Sequence, residues 1–288
     1  MYAPSFAAPT TVAEAVQLLA NASGVARVLA GGTDLLVQLR SGILKPDLIV
    51  DTKRIPELRT ITTEGGGYRI GASVSGAEAA EHATLSKDWP GVVEAVELIG
   101  STQIQGRASF VGNLCNASPA ADSVPALIAA GATVVIAGPD GEREVPVEDV
   151  PTAPGRTSLA KGEMVTAVKL PPKPARTGDA YLRFIPRTEM DIAVVGAGVC
   201  VTLDEGGTCT AAKVSLGAVA PTVLVVPDAA AALVGSRLDD AALAALDAAA
   251  RAACKPIDDK RGTIEYRTKV AGVLARRAAA TAFKRAGA

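Results

Sequence analysis

A single histidine, His82, stands in the whole chain, and that scarcity removes Ser-His-Asp hydrolysis, histidine-based zinc chemistry and most histidine general-base schemes. Cysteine is equally thin. Cys115, Cys200, Cys209 and Cys254 are scattered, with no Cys-x-x-Cys pair and no nearby histidine, so the sequence offers no ligand set for a zinc ion or an iron–sulfur cluster. Aromatic residues make up only 3%, too few for the interleaved aromatic and basic surface that grips single-stranded nucleic acid. Charge of either sign is also lacking in excess: 29 basic residues face 30 acidic ones, and no overall field attracts nucleic acid or an anionic membrane. No apolar run reaches the roughly 20 residues needed to span a bilayer. Met1-Tyr2-Ala3-Pro4 lacks the basic start and apolar core of a secretory signal, which points to the cytoplasm. If the chain does redox work, a bound cofactor must carry it.

What is present is ample core material, 49% hydrophobic over 288 residues, enough for one to three domains. Thr11-Val12-Ala13-Glu14 has the spacing of a capping box, and Val12, Ala15, Val16 and Leu19 then recur on one helical face. Short apolar runs at 27–30 and 47–50 complete a first lobe over about 1–55. A second lobe, about 56–174, alternates strand-like and helix-like segments, with strands expected at 133–137, 142–147 and 164–170. Its stretch 101–122 shows no sustained period and reads as a long functional loop. Pro171-Pro172-Lys173-Pro174 is a stiff break, placed as a domain boundary. Beyond it, 181–184, 192–203 and 210–216 suit a small antiparallel sheet, and helices are expected over 239–254 and 268–284.

Two loops carry the candidate chemistry. Leu29-Ala30-Gly31-Gly32-Thr33-Asp34-Leu35 follows a short strand; its glycines let backbone N–H groups approach a phosphate, and Thr33 adds a hydroxyl. A plain turn would also explain Gly-Gly and Asp. The second loop runs from Ser109 through Val111, Gly112 and Asn113 to Ser118 and Asp122, combining small residues, two hydroxyls, an amide and a carboxylate suited to ribose hydroxyls. Two phosphate-sized cradles suit a pyrophosphate, hence a dinucleotide.

Ala30-Gly31-Gly32-Thr33-Asp34-Leu35 resembles the first pyrophosphate motif of the FAD subunits of molybdenum hydroxylases, the family of xanthine dehydrogenase and aerobic carbon monoxide dehydrogenase. The 108–113 segment resembles the second, which commonly ends Gly-Gly-Asn. Arg187 with Met190-Asp191-Ile192-Ala193-Val194-Val195, and Asp259-Lys260-Arg261-Gly262 with Glu265-Tyr266-Arg267, match further family motifs in order, so the resemblance covers nearly the whole chain. One position departs: Val111 stands where the family has the first of its two glycines, and a valine there requires a negative φ.

The resemblance implies an α+β fold: a two-lobed FAD-binding domain of the vanillyl-alcohol oxidase (PCMH) type over 1–174, then a C-terminal sheet-plus-helix domain over 175–288. It implies FAD with its pyrophosphate on the two glycine loops and Asp122 on the adenosine side. Val165 and Ile192 would pack beside the isoalloxazine, with Arg183 supplying positive charge and Asp191 in the loop against the ring. No catalytic acid or base and no metal ligand is expected from this chain. The implied partners are a large molybdenum-cofactor subunit and a small [2Fe-2S] subunit, joined as a dimer of heterotrimers. FAD would pass electrons from the clusters to an external acceptor. Two other functions fit the residues: a self-sufficient FAD-dependent oxidase or reductase, and a cofactor-free assembly subunit.

Overall fold

The computed structural model of the protein describes residues 3–287. Its chain starts with β1 (Ser5–Ala7), α1 (Val12–Asn21), β2 (Ala26–Leu29), α2 (Leu35–Arg40) and β3 (Leu48–Asp51), whose strands form a parallel sheet ordered β1-β3-β2. Thr11 caps α1 by accepting the Glu14 N–H, while the Glu14 carboxylate takes the N–H of Thr10. The apolar face of α1, through Ala15, Val16 and Leu19, packs with Val50, Ile55 and Leu58.

A five-stranded antiparallel sheet follows, built from β4 (Ile61–Glu64), β5 (Gly67–Gly71), β6 (Thr133–Gly138), β7 (Gly141–Pro146) and β10 (Met164–Leu170), ordered β4-β5-β10-β6-β7. A two-stranded hairpin, β8 (Pro151–Ala153) with β9 (Arg156–Thr157), stands apart from it. Between β5 and β6 run six helices: α3 (Gly76–Glu81), α4 (Leu85–Asp88), α5 (Pro90–Glu97), α6 (Thr102–Gln105), α7 (Phe110–Cys115) and α8 (Ser123–Ala129). They bury Trp89, Phe110, Leu114 and Leu127 against Ile70, Ile136 and Val168 of the sheet. The stretch expected as one long loop therefore contains α6 and α7. Each is four to six residues, too short to show a period.

The remainder forms an antiparallel sheet ordered β11-β12-β13-β14 from β11 (Thr177–Phe184), β12 (Val195–Leu203), β13 (Cys209–Gly217) and β14 (Leu224–Val225), with α9 (Pro227–Ala231), α10 (Asp240–Ala253) and α11 (Ile264–Ala286). Small residues let α11 lie close on the sheet: a Cβ at Gly178 would meet the Ala282 carbonyl oxygen at 2.1 Å. Helix α11 starts four residues before the expected 268 because the Thr263 side chain caps it, accepting the Tyr266 N–H at 3.1 Å. No helix among the described residues is long and apolar enough to cross a membrane.

Asp179 of β11 ties the sheets together. Its Oδ2 accepts the Val92 N–H at 3.0 Å in the first turn of α5, and Arg285 of α11 donates to its carbonyl at 2.8 Å while pairing with Glu94. Its Oδ1 is buried with no partner. Burial pushes this carboxyl up to about 6, against the opposing pull of Lys173, the Val92 N–H and Arg285. A carboxyl raised on folding contributes stability that is complete below its unfolded pKa and lost as pH rises through 6. Relative to Asp179→Asn, the wild-type chain should therefore lose about 2–3 kcal/mol of unfolding free energy between pH 4 and 7. Denaturant melts of both proteins across that range check this; parallel curves would show that Asp179 keeps an ordinary pKa.

Candidate flavin-nucleotide cleft

The two glycine loops meet because glycine removes the atoms that would hold them apart. Gly32 has φ of 81° and turns the chain between β2 and α2. Gly31 lies against the backbone of the second lobe, where an added Cβ would fall 1.8 Å from the Arg107 carbonyl oxygen and 3.2 Å from the Ala108 nitrogen. The Ala108 carbonyl is in turn held by the Gly76 N–H at 2.7 Å. Helix α7 then begins at once: Ser109 accepts the Gly112 N–H at 3.0 Å, and buried Phe110 and Leu114 anchor the helix in the core. Val111 has helical rather than left-handed backbone and turns its side chain into that core, so the departure from glycine carries no strain.

Together the loops line a cleft of about 910 Å³. Ala30, Gly31, Gly32, Thr33, Asp34 and Leu35 form one wall, and Ser109, Val111, Gly112 and Asn113 face them, with Val165 also in the lining. No side chain caps α2, whose opening residues lie on the cleft. Desolvation by the surroundings pushes the Asp34 carboxyl, at the exposed rim, above its ordinary value. Gln38 of α2 donates to Asn116 Oδ1 at 3.0 Å, an amide bridge between the lobes whose partners both line the cleft. Burial pushes the Cys115 thiol up to about 12, so this lining cysteine stays protonated and is no nucleophile. Exposed Arg27, Arg156 and Lys161 supply positive charge.

Six expected site residues are not in the lining. Leu29 is buried at the end of β2, where its carbonyl accepts from Thr52. The Ser118 hydroxyl is used locally, accepting the Ala120 N–H at 3.2 Å. Asp122, read as a ribose acceptor, has both oxygens engaged elsewhere: Oδ1 by the Tyr181 hydroxyl and Oδ2 by Arg183, each at 2.9 Å. Burial pushes its carboxyl up to about 6 despite both donors. Arg183 is thereby drawn into a buried ion pair with only 6% of its side chain exposed. Asp191 is held below the usual carboxylate range by Arg187, with Arg261 adding to the effect, and Ile192 is 52% exposed. Their loop nevertheless approaches the cleft: the Met190 N–H donates to the Gly100 carbonyl at 3.4 Å, next to Ile99 in the lining.

Sequence reasoning missed Gln38, Asn116, Ile43, Leu44 and the lining residues on and beside the β8–β9 hairpin. Gln38 had a usable signal, since it lies one helical turn beyond Asp34 and hence on the same face. The hairpin had none, because its strands are two and three residues long.

A family model described as the FAD binding domain in molybdopterin dehydrogenase matches residues 2–173, and one described as the CO dehydrogenase flavoprotein C-terminal domain matches residues 180–282. The sequence is 35% identical over 283 residues to the carbon monoxide dehydrogenase medium chain of Afipia carboxidovorans, covering 96% of each chain. It is 34% identical over 220 residues to the xanthine dehydrogenase FAD-binding subunit of Escherichia coli O157:H7, covering 76% of this chain and 75% of that one. A chain of the crystal structure of the cyanide-inactivated Cu,Mo-CO dehydrogenase superposes with a TM-score of 0.94 at 35% identity, covering 98% of both chains.

Proposed function

Because this chain belongs to the FAD-binding subunits of the molybdopterin dehydrogenase family, we propose that its cleft holds FAD as the electron exit of a three-subunit oxidoreductase. The observation that carries the proposal is the contact of Gly31 with the Arg107–Ala108 backbone, which places both glycine loops in one cleft. The residues fit the group. A Cβ at Gly31 would force the two glycine loops apart, the volume lies near the upper end for ligand pockets, Val165, Ile99 and Leu44 offer apolar wall, and the cations nearby suit phosphates. Thr33, Ser109 and Asn113 would hold the pyrophosphate together with Gly31, Gly32 and Gly112, all of which line the cleft. Ile99, beside the Gly100 carbonyl that the loop bearing Asp191 and Ile192 reaches, would pack against the ring end. Asp122 and Arg183 act through each other, holding β11 against the start of α8, rather than as direct contacts.

Bound FAD would supply the capacity to collect two electrons arriving singly and release them as a pair. The chain's own residues bind it, orient it and limit access to it. In this reading substrate oxidation belongs to a large molybdenum-cofactor subunit and electron delivery to a small [2Fe-2S] subunit, as the match along nearly the whole length of the carbon monoxide dehydrogenase medium chain supports. The trimer pairs about a two-fold axis. Co-expression with both partner types should yield a complex containing molybdenum, iron and FAD together. Turnover of an organic substrate by the purified chain, given only FAD and an acceptor, would instead establish a self-sufficient flavoenzyme.

The amide bridge across the cleft gives a kinetic expectation. Gln38→Ala removes a neutral hydrogen bond between the lobes, about 0.5–1.5 kcal/mol, and should speed FAD dissociation several-fold. Stopped-flow release into excess apoflavodoxin measures it, and an unchanged off-rate would show that the bridge does not restrain the cofactor.

A further inference from the structure

Ser123 is wholly buried at the first position of α8, outside every glycine motif, yet it touches the cleft through Asn113. Its backbone N–H donates to Asn113 Oδ1 at 3.1 Å and its hydroxyl to the same oxygen at 2.7 Å. A backbone N–H can only donate, so the Asn113 atom facing Ser123 must be the oxygen, and the amide cannot flip without setting donor against donor. The Nδ2 end is thereby directed away from Ser123. No acceptor among the described residues takes its hydrogens. It is not among the buried atoms left without a partner, and Asn113 lines the cleft. Ser123 is itself held from the other side, since the preceding residue, Asp122, is clamped by Tyr181 and Arg183 of β11.

We propose that Ser123 is a positioning residue for the cofactor: by holding Asn113 Oδ1 it presents the Nδ2 donor to the FAD phosphates. This rests on the reading of the cleft as the FAD site. A purely structural alternative is available in the same contacts, because Asn113 Oδ1 also satisfies the first N–H of α8. The two differ in what the far end of the amide does. Asn113→Asp keeps an oxygen for Ser123 and so preserves the cap, but it puts a second, negatively charged oxygen where the donor stood.

The test measures FAD dissociation constants of the full chain by fluorescence, with apoprotein thermal melts alongside. Asn113→Ala should weaken binding by about tenfold or more, the loss of one hydrogen bond to a charged group. Asn113→Asp should bind at least another order of magnitude more weakly than Asn113→Ala while melting close to wild type, since like charges then face each other. Ser123→Ala should weaken binding severalfold in the wild-type background and change nothing in the Asn113→Ala background. Equal affinity of Asn113→Asp and Asn113→Ala would overturn the proposal, because no phosphate would then lie at the Nδ2 side. Full additivity of the Ser123 and Asn113 effects would also overturn it, since Ser123 would be acting on its own. Failure of the wild-type chain to bind FAD is a different result and rejects the function proposed for the cleft.

Discussion

Gly31→Ala is expected to abolish flavin binding, although it adds a single methyl group. The new carbon would stand 1.8 Å from the Arg107 carbonyl oxygen and 2.6 Å from its carbonyl carbon. Both are backbone atoms, so no rotamer change relieves the clash. The neighbourhood is fixed from behind, because Ala108 also accepts the Gly76 N–H at the capped start of α3. The glycine loops must therefore separate by roughly 1.5 Å to restore ordinary contact, as close-packed interiors transmit such strain instead of absorbing it. Donors displaced that far from a phosphate no longer form hydrogen bonds, whose useful range ends near about 3.2 Å. Several such bonds to a charged group, at about 1.5–3 kcal/mol each, are lost together. The purified variant should show no bound flavin and no saturable FAD binding at micromolar concentrations. Val111→Gly is the control: it should cost stability through a lost core side chain and a helical glycine, yet retain FAD. Normal flavin content in Gly31→Ala would show that the loops meet differently.

Arg267→Ala should produce the largest loss of stability in the C-terminal sheet and helices. Arg267 is 3% exposed in the first turn of α11, and its guanidinium serves four acceptors, one of them the Gly262 carbonyl, to which Nε donates at 3.4 Å. Nη1 donates to the Val194 carbonyl at 2.7 Å and the Ala218 carbonyl at 3.3 Å, while Nη2 pairs with Asp259 at 2.7 Å. These acceptors belong to the start of β12, the turn after β13 and the loop before α11, so one side chain joins three separate segments. Its removal takes the guanidinium from two buried carbonyls and leaves Asp259 with only the Arg261 N–H and the longer Arg261 ion pair, a cost of about 3–5 kcal/mol. Arg267→Lys should recover only part of it, because an ammonium lacks the planar fork. A fall in melting temperature of several degrees checks this; a shift within a degree of wild type would mean that water replaces the guanidinium without penalty. Asp259 is held below the ordinary carboxylate range mainly by Arg267, so its share of the stability is present above the unfolded pKa and lost as pH falls through the folded one.

Local rules made some of this legible in the sequence. β10 runs over Met164–Leu170 as its apolar pattern indicates, and α10 matches its alanine-rich span within a residue at each end. The glycine pair alone reads as well as a plain turn; the loops were readable because the motifs follow one another in the family's order. What stayed hidden depends on contacts distant in sequence. The Asp122 carboxylate pairs with residues 59 and 61 positions away, and no local pattern announces a buried ion pair between residues so far apart. Short helices such as α7 escape periodicity altogether, and their caps, Ser109 on Gly112 here, are visible only once the helix is known. Ser123 carried no signal at all, because its importance lies in the atom it faces.

The central claim is that this chain carries FAD in the cleft between its glycine loops, and the absorption spectrum of the purified full-length protein tests it most directly. After gel filtration the protein is expected to show oxidised-flavin bands near about 370 and 450 nm, the signature of the cofactor class. Acid release should then yield FAD rather than FMN. A colourless protein that stays colourless after incubation with FAD and re-filtration would contradict the claim and leave the cofactor-free assembly role as the function of this chain.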